Sequence, residues 1–310
     1  MTWGADVRWA DDDSIWIAAA KAGVFELSAE DMESAPREVM PGEANGGFWL
    51  SSRLAISSTH LVVGAGVFSY EWMRRPQLEP TEEAFYGIAD LDLFRDKLVI
   101  LGGLKDEGNN FSPDGAIAWL GPVEAGQESL KPILYSKYGP GARAMGECGV
   151  LSIGAARFML DGSFLLIPGV ETGIYWYSPE GELKRAWESS ALGLEDVCEP
   201  MLGRMAELAI DPHARNRWMG LRRVVDEILP LPQGPGVIIR EMRDGEIVWE
   251  MAILGADGSV KWLDLPVKSS SSWSHLKGDV RGKKIVFLVV EHGKWEPAAV
   301  PRIVFAELGP

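Results

Sequence analysis

Short runs of alternating apolar and polar residues, separated by Gly- and Asp-containing turns, recur along the whole chain. The clearest is residues 154–187, GAARFMLDGSFLLIPGVETGIYWYSPEGELKRAW. Two strand-like runs flank Asp161-Gly162, a third follows Gly173, and Glu180-Gly181 turns the chain into a fourth. A tight primed turn needs positive φ, which Gly accepts freely and Asp more readily than most residues. The stretch therefore predicts a four-stranded antiparallel meander. Such a sheet cannot bury both of its faces alone and needs similar sheets beside it.

Five other places repeat the hairpin at its start, an inner strand, a polar or Gly turn and a short apolar strand. They are VRWADDDSIWIAAA from Val7, RLAISSTHLVVGAG from Arg53, LDLFRDKLVILGG from Leu91, EILPLPQGPGVIIRE from Glu227 and LKGDVRGKKIVFLVV from Leu276. The second strands recur about every fifty residues on average, the spacing of propeller blades. Third and fourth strands follow several hairpins, as in GVFELSA, AIAWLGPV, GIYWYS and IVWEMAILG, and many hold the Trp and Tyr that fill wedges between radial sheets. The pattern predicts an all-β protein, a six-bladed β-propeller of four-stranded antiparallel blades, with residues 1–310 as one domain. No clear fourth strand follows VFSYEWMRR from Val67 or RIVFAELGP from Arg302, so the manner of ring closure stays open.

Two long connections share one expected face. Loops between second and third strands lie on the same side as the links to the next blade, and such loops commonly carry binding. Gly102–Gly115 is the longest of them. Its Asp106, Glu107, Asn109, Asn110 and Asp114 supply oxygens that a divalent cation such as calcium could use, although their spacing is not that of an EF-hand and the same residues form ordinary turns. No cofactor is required by the sequence. The region of about 192–222 predicts a short helical insertion between blades four and five, from the apolar stripe Met201, Met205, Leu208 and Ala209 and the Asp211-Pro212 helix start. It would serve as a plug over strand ends or as a lid over a pocket. Cys148 and Cys198 fall on this face, either as a disulfide fastening the insertion or as two thiols.

The formal net charge of −15 makes nucleic acid an unfavourable partner, because an acidic surface repels phosphate. No run of about 18 apolar residues is present, so no membrane-spanning helix is predicted. The N-terminus MTWGADVRWADDD lacks a basic start and an apolar stretch. The expectation is a cytoplasmic protein, or a secreted or periplasmic one if a signal peptide has been removed.

Hairpins such as FMLDGSFLLIPG followed by YWYSPEGELKRAW resemble the blades of six-bladed propellers of the NHL and gluconolactonase-like superfamily. In gluconolactonase-like enzymes that resemblance implies a divalent metal held by a first-blade Glu-Gly-Pro motif together with Asn and Asp from other inner strands. Here Gly4-Ala5-Asp6 occupies the corresponding place, and the inner strands offer no Asn. Virginiamycin B lyase-like propellers use histidines near the channel; this chain has His60, His213, His275 and His292, with no motif linking them.

Alternation along the inner strands directs every second side chain toward a central channel. The candidates are Asp6, Arg8, Arg53, Asp90, Asp92, Arg157, Asp226 and Asp279, with Arg281 beside the last. They form either a ring of ion pairs that satisfies a polar channel, or a ligand site whose Arg residues grip a carboxylate while Asp residues act as bases or metal ligands. No G-x-S-x-G, P-loop, dinucleotide-binding or H-E-x-x-H motif occurs. Two functions are carried forward: a binding or scaffolding module that takes a protein, peptide or small polar ligand on its loop face, and a metal-assisted hydrolase, lactonase or lyase acting at the channel mouth. A purely structural subunit, with an apolar patch on the rim, is a third.

Overall fold

A computed structural model describes residues 5–10, 13–19, 23–31, 34–41, 53–57, 60–63, 66–69, 85–104, 115–123, 129–137, 154–169, 173–194, 221–270, 274–292 and 299–309. The fold is a β-propeller. Among the described residues six antiparallel sheets follow one another, each meandering from its first strand outward. The first is β1 (Ala5–Trp9), β2 (Ser14–Ala19), β3 (Gly23–Ser28) and β4 (Arg37–Pro41); the second is β5 (Leu54–Ile56), β6 (His60–Val63) and β7 (Gly66–Ser69). The third holds β8 (Phe85–Phe94), β9 (Lys97–Leu104), β10 (Ala116–Pro122) and β11 (Lys131–Tyr135). The fourth holds β12 (Gly154–Phe158), β13 (Phe164–Pro168), β14 (Ile174–Tyr177) and β15 (Leu183–Trp187). The fifth is β16 (Val224–Leu231), β17 (Gly234–Arg243), β18 (Glu246–Leu254) and β19 (Val260–Ser269), and the last is β20 (Ser274–Arg281), β21 (Lys284–His292) and β22 (Ala299–Glu307).

The expectation of six equal four-stranded blades needs correction. Among the described residues four sheets have four strands and two have three. The sheet β5–β7 is rudimentary, with strands of three and four residues, so the ring amounts to five full-length blades and one short sheet. Strands that short make only a few ladder bonds. The expected helical insertion falls mostly on residues 195–220, outside the described residues. At its near end there is a single 3₁₀ turn, Ser189–Leu192.

Hydrophobic wedges between consecutive sheets hold the ring together. Trp16, Val24, Leu54 and Leu61 pack the first sheet on the second, and Phe158, Phe164 and Tyr177 sit between the third and fourth with Phe164 stacked on Tyr177 at 5.0 Å. Leu165, Ile167, Ile228 and Val237 join the fourth and fifth. Between the last sheet and the first, Val7, Ile15, Val286 and Leu288 close the circle. Full burial of each such side chain contributes about 1.5–3 kcal/mol. Among the described residues, closure therefore uses the packing of β1 and β2 on β21, with no strand shared between the first and last sheets.

The Asp-Gly turns differ from expectation in one detail. At Asp161-Gly162 only the glycine has positive φ (82°), and Met159 O accepts a bond from Gly162 N at 2.9 Å. This is an ordinary turn followed by a left-handed Gly, a combination that also matches strand twist, rather than a primed turn. Asp161 instead folds its carboxylate onto Ser163 N (3.0 Å) and Ser163 Oγ (2.6 Å). The same scheme recurs at Asp257-Gly258, where Asp257 binds Ser259.

Candidate functional site: the charged channel

Burial separates the channel residues from ordinary surface charge. Asp6, Arg8, Asp90, Asp92, Arg157, Asp226 and Asp279 are all at most 6% exposed. Charged groups this deep persist only when they are paired and hydrogen-bonded, and the pairing follows a rule. A carboxylate on the first strand of one sheet accepts a backbone N–H from the first strand of the next. Asp6 Oδ2 takes Leu54 N (2.9 Å), Asp90 Oδ2 takes Ala156 N (3.1 Å), and Asp92 Oδ2 takes Phe158 N (2.8 Å). Asp226 Oδ2 takes Leu276 N (3.1 Å), and Asp279 Oδ2 takes Trp9 N (2.8 Å), which fastens the last sheet to the first. The inner strands of neighbouring sheets do not hydrogen-bond to each other as a ladder, so these aspartates satisfy N–H groups that would otherwise be orphaned.

Buried cations link these carboxylates. Arg8 Nη1 donates to Asp6 Oδ1 at 2.8 Å and reaches Glu227 Oε2 at 3.4 Å. Arg157 pairs with Asp279 and lies 3.5 Å from Asp92. Lys277 Nζ donates to Asp226 O at 2.6 Å and faces Glu227 Oε2 at 3.5 Å. Asp226 is held most completely. It also accepts from Trp249 Nε1 at 2.7 Å, with Arg240 and His275 each 3.7 Å from its Oδ1.

The electrostatic consequences divide the acids into two groups. Burial pushes the Asp6, Asp90 and Asp92 carboxyls upward, and their cationic neighbours, Arg8 and Lys277 among them, offset this only in part. Burial would raise Asp226 and Glu227 too. Arg240, His275 and the Trp249 N–H overcome it at Asp226, holding it well below the usual carboxylate range. Lys277, Arg8 and Arg157 do the same at Glu227, lowered to about 2.

The structure thus brings together seven of the eight expected channel residues, and the half-buried Arg53 acts electrostatically on Asp6 and Asp90. Arg281 does not join them. It is partly exposed, contacts Ala10 O and lies 2.9 Å from Asp13, forming a latch outside the channel. Asp106, Glu107, Asn109, Asn110, Asp114, Cys148 and Cys198 lie outside the described residues. Among the described residues, no group of three or more His, Cys, Asp or Glu has a geometry that could hold a metal ion.

Four members of the network escape simple alternation or were passed over by it. Glu227 follows Asp226 directly, and strict alternation would turn it away. A register shift between Val225 and Glu227 in the β16–β17 ladder lets both acids be buried. Arg240 sits on the second strand, opposite Val224, where the run VIIRE reads as plain core. Lys277 and His275 share the parity of Asp279, and that periodicity was a sufficient signal for both.

No protein family matches the chain, and no curated protein matches it in sequence. Solved structures do. U3-55K aligns with a TM-score of 0.53 at 14% identity, covering 99% of this chain and 97% of that one. A member of the duf4221 family from Bacteroides vulgatus aligns with a TM-score of 0.51 at 8% identity, covering 99% and 94%. A looser likeness, to the calcium-binding protein regucalcin from Agrobacterium tumefaciens, has a TM-score of 0.47 at 11% identity, covering 96% and 85%. What the chain shares with the first two is the fold. At these identities the likeness reaches no further than architecture. Among the described residues no helix is long and apolar enough to cross a membrane.

Proposed function

We propose that residues 1–310 form a single propeller domain that works as a binding or scaffolding module. Its ligand is a protein, a peptide or a small polar molecule, taken on the face bearing Gly102–Gly115 and Leu192–Arg222. One observation carries the reading: the channel carboxylates are committed to the frame. Asp6, Asp92, Asp226 and Asp279 each hold a backbone N–H of the next sheet as well as a cation. A general base or metal ligand needs a free lone pair aimed at a substrate, and these acids spend theirs on the ring.

A second reading, the metal-assisted hydrolase or lyase, draws support from Asp90. That residue is fully buried, its carboxyl is pushed up by burial, and its Oδ1 has no hydrogen-bond partner among the described residues. Strongly perturbed acids gather at catalytic sites as well as in structural networks.

The deciding experiment is elemental analysis of protein purified without chelator or metal-affinity tag, alongside thermal scans with added calcium, zinc and manganese. The binding-module reading expects no stoichiometric metal and no stabilisation. About one metal per chain, lost in Asp90→Asn, would overturn it and send the search to lactones and esters.

A further inference from the structure

Three Asp-Gly pairs lie wholly within the described residues, at Asp161, Asp244 and Asp257. An aspartate followed by glycine can cyclise, because no Cβ shields the next backbone nitrogen from the carboxyl carbon. The reaction needs a free carboxyl, a free glycine N–H and room for the backbone to rotate. The three turns differ in every one of these respects.

Two of them are locked. The Asp161 carboxylate accepts from Ser163 N and Oγ at 3.0 and 2.6 Å, and that of Asp257 from Ser259 N and Oγ at 2.9 and 2.6 Å. Gly162 N donates to Met159 O and Gly258 N to Gly255 O, each at 2.9 Å. Neighbouring sheets also hold both turns in place. Gly162 is buried, and a Cβ there would stand 2.8 Å from Phe94 Cε1 of the third sheet, while Arg185 of the fourth sheet donates to Ala256 O at 2.6 Å.

Asp244-Gly245 has none of these restraints. It is the two-residue turn between β17 and β18, with both residues exposed and φ of 53° and 83°. Neither the Asp244 carboxylate nor the Gly245 N–H has a partner among the described residues, and a Cβ on Gly245 would meet nothing within 4 Å. The hairpin also outreaches its sheet. β16 starts opposite Arg240 and β19 ends opposite Ile247, so residues 241–243 and Glu246 have a strand on one side alone among the described residues. Arg243 ties this tip back through Glu241 and Glu250. Opening a two-stranded tip costs a small part of global stability, and it releases Asp244 from a left-handed conformation that L-residues hold at a cost. Opening matters because a left-handed ψ of about 47° turns the glycine nitrogen away from the side chain; the ring closes from the open tip.

We propose that Asp244 is a self-modification site, at which the chain isomerises to isoaspartate through a cyclic imide with Gly245. Gly245 N attacks Cγ of the protonated carboxyl; the N–Cγ bond forms, and one carboxyl oxygen leaves as water with the carboxyl and amide protons. Water then opens the ring. Addition at Cγ breaks the new bond and restores aspartate, whereas addition at the main-chain carbonyl breaks the original peptide bond and leaves the chain running through Cβ and Cγ. One water is lost and one regained, with no oxidant or reductant. The product has an extra main-chain carbon and a free α-carboxylate, so a two-residue turn no longer suits the pairing of Arg243 with Glu246. The turn joins a second to a third strand and so lies on the loop face, but the chemistry does not depend on what that face binds.

Peptide mapping of the full chain, aged in warm neutral buffer, tests the proposal. The peptide spanning Asp244 should split into two of equal mass. The new one should carry heavy oxygen when ageing is done in labelled water, and should accept a methyl group from an isoaspartate-specific carboxyl methyltransferase. Asp244 should convert at least about tenfold faster than Asp161 and Asp257, equivalent to about 1.4 kcal/mol in barrier. In urea the three rates should converge, since the fold makes the difference. Asp244→Asn keeps the turn and has the better leaving group, so it should yield isoaspartate faster; Asp244→Glu, whose ring would need six members, should yield none. Arg243→Gln loosens the tip and should speed conversion of Asp244. A native chain whose Asp244 stays intact while the same residue converts in urea would overturn the proposal, as would Asp161 or Asp257 keeping pace with it in the native state.

Discussion

Replacing Arg8 by Met would remove a cation that touches both Asp6 at 2.8 Å and Glu227 at 3.4 Å, with all three side chains at most 2% exposed. Methionine is of similar length and apolar, so loss of packing is minimised and the change is chiefly electrostatic. If the pair behaved like a surface salt bridge, the loss would be about 0–1 kcal/mol. Buried as it is, breaking it should cost about 3–5 kcal/mol, because two carboxylates are left without their shared counter-charge. That is a large part of the roughly 5–15 kcal/mol by which proteins are stable. Urea unfolding at pH 7 and pH 4 reads it, as a lower midpoint at unchanged slope. The pH dependence carries its own sign. In the native protein Glu227 is lowered to about 2 from 4.5, so its contribution is full above about 4.5 and is lost as pH falls toward 2. Without Arg8 the acids can take up protons instead of staying charged and uncompensated. The deficit of the variant should therefore shrink between pH 7 and pH 4, and a second change, Glu227→Gln, should restore part of the stability at pH 7. A loss below about 1 kcal/mol at pH 7, or one that does not change with pH, would refute the reasoning.

Other positions give further tests. Asp90→Asn should be at least as stable as the native chain at pH 7: burial raises this acid, so the native form loses stability as pH rises through its titration, and an amide does not titrate. The advantage should fade toward low pH in thermal scans. Trp249→Phe deletes the 2.7 Å bond from the indole to Asp226 and should cost about 1–3 kcal/mol in denaturant unfolding, since a buried acceptor loses a donor. Gly162→Ala should destabilise by about 1 kcal/mol or more, because φ is 82° and the added Cβ would stand 2.8 Å from Phe94 Cε1. A melting temperature unchanged by that substitution would contradict the left-handed turn.

Much of the architecture was legible in local chemistry. All six inner hairpins appear where alternation and turn residues place them, since strand formation and tight turning are decided within a dozen residues. The polar positions of the inner strands were legible for the same reason: an Asp or Arg at every second position of an apolar strand has to face something polar, and these are buried among partners. The loops with the richest candidate chemistry, Gly102–Gly115 and Leu192–Arg222, fall mostly outside the described residues, and their roles rest on sequence alone.

The rest depends on distance in space. Sequence spacing made Asp6, Asp226 and Asp279 equivalent, as potential bases or ligands; only the packing of sheet on sheet brings each beside an N–H of its neighbour and turns it into a fastening. Glu227 and Arg240 enter the network through a register shift and through a second strand, features with no local signature. Side-chain alternation and turn formation are short-range and written in neighbouring residues, whereas charge pairing across a ring is set by which strands the fold makes adjacent.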